Sequence, residues 1–373
     1  MFQPRRDPRG SATPAARRSS PGGRWTTRVK GLTVAGSTAL LLASGAGAFL
    51  SGGSAAATST PSGSIDLVAY STPQPAYEQL IKKFNATPAG ANVTVNQSYG
   101  PSGQQSRNVA AGQPADVVNF SLSSDLDRLV KAKIVNADWN SDPTTHGMVT
   151  NSLVVFVVPK GNPEHIETWQ DLLKPGIKIF TPNPYSSGSA RWNLMAAYGA
   201  QLKLGRTAVQ ATSFITSLLA NTEVQGASAA DELEAFEQAN NPDDVLLDYE
   251  DDAIQAIRAG ASLNYVIPKQ TILIQNPLAV TSDSKNPAAA QAFAHYLFSV
   301  AGQTEWAYLG YRPTRPVVAA QFRKKFPVPA DLFTIQYLGG WDQVAIEYFS
   351  TTKGSPGIVT KIEQSLGQST SSS

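Results

Sequence analysis

Short apolar runs alternate with amphipathic stretches from Ile65 to the neighbourhood of Phe349, and this alternation limits the body of the chain to an α/β fold. Residues 65–70, 92–97, 116–120 and 152–158 read as strands. Between them, 76–85 sets Tyr77, Leu80, Ile81 and Phe84 on one helical face, and 125–132 does the same with Leu126, Leu129 and Val130. A second set follows, with strands at 177–180, 245–249 and 263–267 among helices at 190–202, 207–219, 229–237 and 252–259. A long apolar run at 272–280 precedes helices at 287–299, 303–309 and 342–349. Strands separated by helices predict mostly parallel sheets covered on both faces.

Two long β runs, 152–158 and 272–280, bracket the middle set. If each crosses between lobes, lobe one is 64–151 with 281–350, and lobe two is 152–280 including the two linking strands. Such a molecule has a cleft. In open α/β sheets the ligand sits outside the carboxyl ends of the strands, so strand-to-helix turns should line it.

The first 57 residues stand apart. They hold eight basic groups and one acid, whereas the other 316 hold 22 basic and 27 acidic groups. A mildly acidic body argues against nucleic acid as a partner. Residues 1–30 are basic, 31–50 are uncharged, and Ala55 and Ala57 meet the small-residue rule for signal cleavage. This is the layout of an export signal over 1–57, cut after Ala57. The alternative is a retained anchor, since about 20 uncharged residues can just span a bilayer. The sequence contains no cysteine, which excludes disulfides, thiolate nucleophiles and cysteine metal sites.

Four turns have unusual composition: Tyr70-Ser71-Thr72-Pro73, then 98–105, then 183–192, then Asp248-Tyr249-Glu250-Asp251-Asp252. The second and third place Ser and Gly just before a helix. A helix start leaves backbone N–H groups without intrahelical partners and carries about half a positive charge. Such a start can hold an oxyanion without a cationic side chain. Each could equally be an ordinary N-cap. One in each proposed lobe is what a shared anion site would need.

The order of these turns resembles the sulfate- and thiosulfate-binding proteins of ABC importers, over about residues 64–350. The resemblance rests on Tyr-Gly-Pro-Ser-Gly-Gln-Gln-Ser-Arg at 99–107 and Ala-Asp-Val-Val-Asn-Phe-Ser-Leu at 115–122. It continues with Thr-Pro-Asn-Pro-Tyr-Ser-Ser-Gly-Ser-Ala-Arg-Trp-Asn at 181–193, the most specific stretch. Asp-Val-Leu-Leu-Asp-Tyr-Glu at 244–250, Tyr-Arg-Pro at 311–313 and Gly-Gly-Trp at 339–341 complete it. The resemblance implies a two-lobed, type II periplasmic-binding-protein-like fold with the ligand in the interlobe cleft. It also implies a monomer without cofactor or metal that hands sulfate or thiosulfate to permease subunits in the membrane, from the periplasm or the outer face of the cytoplasmic membrane.

In that family a dehydrated tetrahedral dianion is held by backbone amides, serine hydroxyls and one aromatic donor. The matching positions are Ser71, Ser102, Ser187, Gly188, Ser189, Ala229 and Tyr249. Ser71 stands where many members have Asp, Ser189 replaces a second Gly, Ala230 replaces an Arg, and Tyr249 offers O–H where others offer an indole N–H.

Other readings compete at single positions. Arg107 and Arg191 sit a few residues into helices and read as structural ion-pair formers rather than anion ligands. Glu250-Asp251-Asp252 lies at a helix start, where acids favour the dipole, and lacks the spacing of a calcium loop. Trp169, Trp192, Trp306 and Trp341 read as core. An exported hydrolase would need a nucleophile elbow, a metal helix or a phosphate loop, and none of these motifs occurs. His146, His165 and His295 lie far in sequence from Ser102 and Ser189. A receptor for phosphate, molybdate or a small carboxylate is the rival within the binding class.

Overall fold

A computed structural model describes residues 60–239 and 241–371. The export signal expected over 1–57 lies outside them. The first half runs β1 (Ser62–Tyr70), α1 (Gln74–Asn85), β2 (Asn92–Gly100), α2 (Ser102–Ala110), β3 (Val117–Asn119), α3 (Ser123–Lys131) and β4 (Met148–Pro159). Next come β5 (Lys178–Phe180), α4 (Gly188–Lys203), α5 (Ala208–Ala220), β6 (Thr222–Val224), α6 (Ala229–Ala239), β7 (Asp244–Tyr249), α7 (Glu250–Ala259), β8 (Leu263–Val266) and β9 (Gln270–Val280). The chain closes with α8 (Pro287–Phe298), α9 (Val300–Leu309), α10 (Pro316–Gln321), β10 (Asp331–Phe333), α11 (Gly340–Glu347) and α12 (Ile358–Ser365).

The strands follow the order β2-β1-β3-β9-β4-β7-β5-β6, with β10 on β9 and β8 on β4. Two blocks are parallel, β2-β1-β3 and β7-β5-β6. Between them β9 and β4 run antiparallel to each other, β9 antiparallel to β3 and β4 antiparallel to β7 and β8, while β10 joins β9 in parallel. The sheet is therefore mixed, where the alternation alone predicted mostly parallel pairing. Length explains the difference: β4 has 12 residues and β9 has 11, and a strand rises about 3.3 Å per residue, so the antiparallel pair together spans from one block to the other. β9 pairs with β3 at 278–280 and with β4 at 273–277, while β4 pairs with β7 at 154–157.

Both faces of each block are buried. Ile65, Leu67 and Ala69 of β1 pack on Tyr77, Leu80, Phe84, Phe293 and Trp306, while Val68 faces Val118, Phe120, Leu126 and Leu129. In β4, Val154, Phe156 and Val158 join Trp169, Trp192 and α5. Leu153, Val155 and Val157 join Phe236 and Ala253 on the other side. The tryptophans at 169, 192, 306 and 341 are all core, as expected. The end of the segment expected in lobe one departs from that expectation: Phe333, Trp341 and Phe349 pack into the core around α4 and β4, not with β1–β3, and Val359 and Ile362 of α12 join them there. An apolar helix face fits any apolar surface, and its period does not name the partner.

Candidate anion site

Six of the seven expected residues surround one small cavity. Ser71, Ser102, Ser187, Gly188, Ser189 and Ala229 line it, together with Tyr70, Thr72, Pro101, Ser121 and Ser228. Each lies just past the carboxyl end of a strand or at a helix start. Tyr70 stands beside Gly100 in the β1–β2 register and Ala69 beside Asn119 across β1–β3, so the turns after these strands abut. The space is about 10 Å³, far below the roughly 300 Å³ floor of pockets for drug-sized ligands. None of its lining residues is a carboxylate, Lys, Arg or His.

Three helices begin at this cavity: α2 at Ser102, α4 at Gly188 and α6 at Ala229. The N-cap of α2 is Pro101 and that of α4 is Ser187, and neither caps its helix with a side chain. Helix α6 differs, because Ser228 Oγ accepts from Asp231 N at 3.3 Å. Ser187 Oγ and Ser189 Oγ lie 2.8 Å apart, so two hydroxyls share one bond and retain a proton for a further acceptor. Gly188 is required by space, since a Cβ there would stand 2.4 Å from Ser121 Oγ.

Residues 65–312 match the family described as bacterial extracellular solute-binding protein. The sulfate-binding protein of Synechococcus elongatus is 38% identical over 81% of this chain and 87% of its own length. That of Escherichia coli is 34% identical over 79% and 93%. The chain belongs to the sulfate- and thiosulfate-binding family. A thiosulfate-binding protein of Pseudomonas aeruginosa is 32% identical over 73% of the chain and 84% of its own. Among solved structures, the sulfate-binding protein SubI of Mycobacterium tuberculosis superposes with a TM-score of 0.73 at 46% identity, covering 75% of this chain and 97% of that one. The family is one of extracytoplasmic solute-binding, non-catalytic components of ABC transporters, and the fold is its two-lobed α/β arrangement. Among the described residues, no helix is long and apolar enough to cross a membrane.

Two of the expected residues use their hydroxyls inside the protein. The hydroxyl of Ser102 donates to Asp125 Oδ2 at 2.7 Å and accepts from Ser121 N at 2.9 Å. Both of its functions are used inside the protein, and what Ser102 can turn to the cavity is backbone N–H. Tyr249 is absent from the cavity wall. It is fully buried one layer behind, its hydroxyl 2.7 Å from Ser121 Oγ. Ser121 and Ser228 were missed from the sequence. Ser121 lies in the 115–122 stretch and follows β3, so the strand-end rule applied to that short strand would have found it.

A layer of carboxylates anchors the turns from outside. Thr72 Oγ1 donates to Asp252 Oδ2 at 2.9 Å, and Ser228 Oγ to Asp231 Oδ2 at 2.8 Å. Burial pushes Asp252 up to about 7 against the Thr72 hydrogen bond, and holds Asp248 and Asp251 well above the usual carboxylate range, where the neighbouring Asp252 adds to the effect. Glu250 is turned away, held by Arg312 Nη2 at 3.1 Å and by Arg312 Nε. Among the described residues, no group of three or more His, Asp or Glu is placed to hold a metal.

The arginines sit beside the cavity, not in it. Arg191 Nε donates to the Pro184 carbonyl at 2.7 Å and its guanidinium stacks on Phe349. Arg107 Nη2 donates to Gln104 Oε1 at 3.1 Å. Both have structural bonds as expected, though these partners are a carbonyl and an amide. Arg128 pairs with Asp125, at 2.8 Å. His146, His165 and His295 do not line the cavity.

Proposed function

We propose that the protein captures sulfate or thiosulfate in this cavity and delivers it to the permease subunits of an ABC importer. The observation that carries the reading is that α2 and α4 start at one uncharged cavity without side-chain caps. Uncapped N–H groups in a buried wall need an acceptor, and the positive ends of two helices favour one with negative charge. Ser71, Ser187, Gly188, Ser189 and Ala229 would add their amides or hydroxyls, with Ser102 contributing its amide and Tyr249 acting from behind Ser121. The names of the relatives agree with this ligand class.

Within this reading, residues 64–151 and the part of 281–350 ahead of β10 make one lobe. Residues 152–280 make the other, with β4 and β9 as the hinge strands. The 1–57 segment would export the protein to the periplasm or outer face of the cytoplasmic membrane, where it works as a monomer.

Calorimetric titration with sulfate, thiosulfate, phosphate and molybdate tests the reading. Sulfate or thiosulfate should bind tightest. Phosphate at neutral pH keeps a proton that needs an acceptor, and facing it with donors should cost about 1–3 kcal/mol, at least ~10-fold in affinity. Tighter binding of phosphate or molybdate would move the assignment to that anion.

A further inference from the structure

Behind the cavity lies a pair of acids without a cation. Asp251 and Asp252 open α7, and both are buried. Asp252 Oδ2 accepts from Thr72 Oγ1 at 2.9 Å, whereas neither carboxylate oxygen of Asp251 has a hydrogen-bond partner. The hydroxyl of Tyr70, a buried residue of the cavity wall, also lacks one. Around the pair stand Tyr70 of β1, Ser152 of β4, Asp248 and Tyr249 of β7, Glu250 of α7 and Tyr311 beyond α9. None of these is a cation, and Arg312 is bound to Glu250. A buried carboxylate with neither a cation nor a donor escapes the cost of its charge by taking a proton.

The pair sits where the proposed lobes meet. Asp251 and Asp252 belong to the second lobe, while Tyr70, Thr72 and Tyr311 cover them from the first. Gln255 of α7 ties the two sides, its Nε2 donating to the Asp251 carbonyl at 3.3 Å and to the Tyr311 hydroxyl at 3.2 Å. The Tyr311 hydroxyl in turn donates to the Thr72 carbonyl at 3.4 Å. Separating the lobes would remove this cover and let water reach both acids.

We propose that Asp251 and Asp252 form a proton site that fills when the lobes close, so that a proton is bound together with the anion. The proposal rests on the oxyanion reading and the lobes above, and adds a second ligand to them. In the open molecule the hydrated acids ionise near their ordinary 3.8. In the closed one burial pushes Asp252 up to about 7 and holds Asp251 well above its usual range. The neighbouring tyrosines stay protonated, because burial raises each of them too. Between about pH 4 and 7 the closed form therefore holds a proton that the open form has lost, and sulfate binding weakens as pH rises. Sulfate remains a dianion throughout, so this dependence belongs to the protein.

Calorimetry of the full chain with sulfate at pH 6, in two buffers of unlike protonation enthalpy, counts the protons. About one should be taken up per anion, and affinity should fall by ~10-fold or more from pH 5 to pH 7, since one proton changes it by up to ~10-fold per unit. Asp251→Asn with Asp252→Asn removes both charges and keeps an acceptor for Thr72. In this double variant the uptake should vanish, affinity should be flat from pH 5 to pH 7, and at pH 8 it should exceed that of the wild type. Affinity lowered by the same factor at every pH would mean a merely structural pair and overturns the proposal. Should the double variant fail to fold by circular dichroism, the wild-type proton count decides alone. A wild type that binds sulfate without taking up a proton overturns the proton site and leaves the oxyanion reading standing. A wild type that binds neither sulfate nor thiosulfate overturns both.

Discussion

Ser102 shows how a residue can stand at a binding cavity and still use its side chain elsewhere. Its hydroxyl bridges Asp125 and the Ser121 amide, joining the turn after β2 to the turn after β3. Ser102→Ala should therefore lower stability by about 1–3 kcal/mol, since it leaves a buried carboxylate oxygen and a buried N–H without this partner. Urea unfolding of the variant measures it, and a loss below ~0.5 kcal/mol would contradict the bridge. Gly188 is the opposite case, a residue without a side chain whose absence matters. Gly188→Ala would bring a methyl to 2.4 Å from Ser121 Oγ, which lines the same cavity. Sulfate affinity should fall by at least ~10-fold with secondary structure retained, which titration and circular dichroism together would reveal. The turns at the cavity were legible from sequence because strand ends and helix starts are local features, and the resemblance supplied six of the lining residues, though not Ser121 or Ser228. What the hydroxyls bond to was not, because Asp125 lies 23 residues from Ser102 and Ser121 lies 128 from Tyr249.

At the scale of elements, the turn that leads into α6 hangs on one buried acid. Glu232 accepts from the Gly226 amide through one oxygen, while its other oxygen is buried without a hydrogen bond. Burial pushes this carboxyl from its ordinary 4.5 up to about 7. A folded-state value above the unfolded one means the fold favours the protonated form. Stability is then unaffected below about pH 4.5 and declines as pH rises to about 7, by ~3 kcal/mol at about 1.4 kcal/mol per unit. Glu232→Gln keeps an acceptor for Gly226 and cannot ionise. It should match the wild type in stability near pH 4.5 and exceed it at pH 8; equal stability at both values would show that the carboxyl titrates normally. The elements themselves were legible from period, except β6, β10, α10 and α12, which are short. The placement of 333–362 beside α4 was not legible, because the partner of an apolar face is a tertiary choice.

For the whole molecule, the decisive feature is that two parallel blocks are joined in the sheet through β4 and β9 while both supply walls to one cavity. The turns after β1, β2 and β3 bring Ser71, Ser102 and Ser121; the starts of α4 and α6 bring Ser187, Gly188, Ser189 and Ala229. A lobe acting alone would present its N–H groups to water and could not strip a dianion of its hydration. Closing the lobes on the ion satisfies both sets of donors at once, so the ligand binds the closed form better and shifts the population towards it. The two long strands, and the segment between α10 and β10 that leads into the tail, are the connections that must flex. Small-angle scattering should then show a smaller radius of gyration at saturating sulfate than in its absence. The change should be absent in Gly188→Ala at sulfate concentrations that saturate only the wild type. A radius unchanged by sulfate in a protein that calorimetry shows to be saturated would mean that the lobes are already closed without ligand, and that selectivity arises in a preformed cavity rather than in closure.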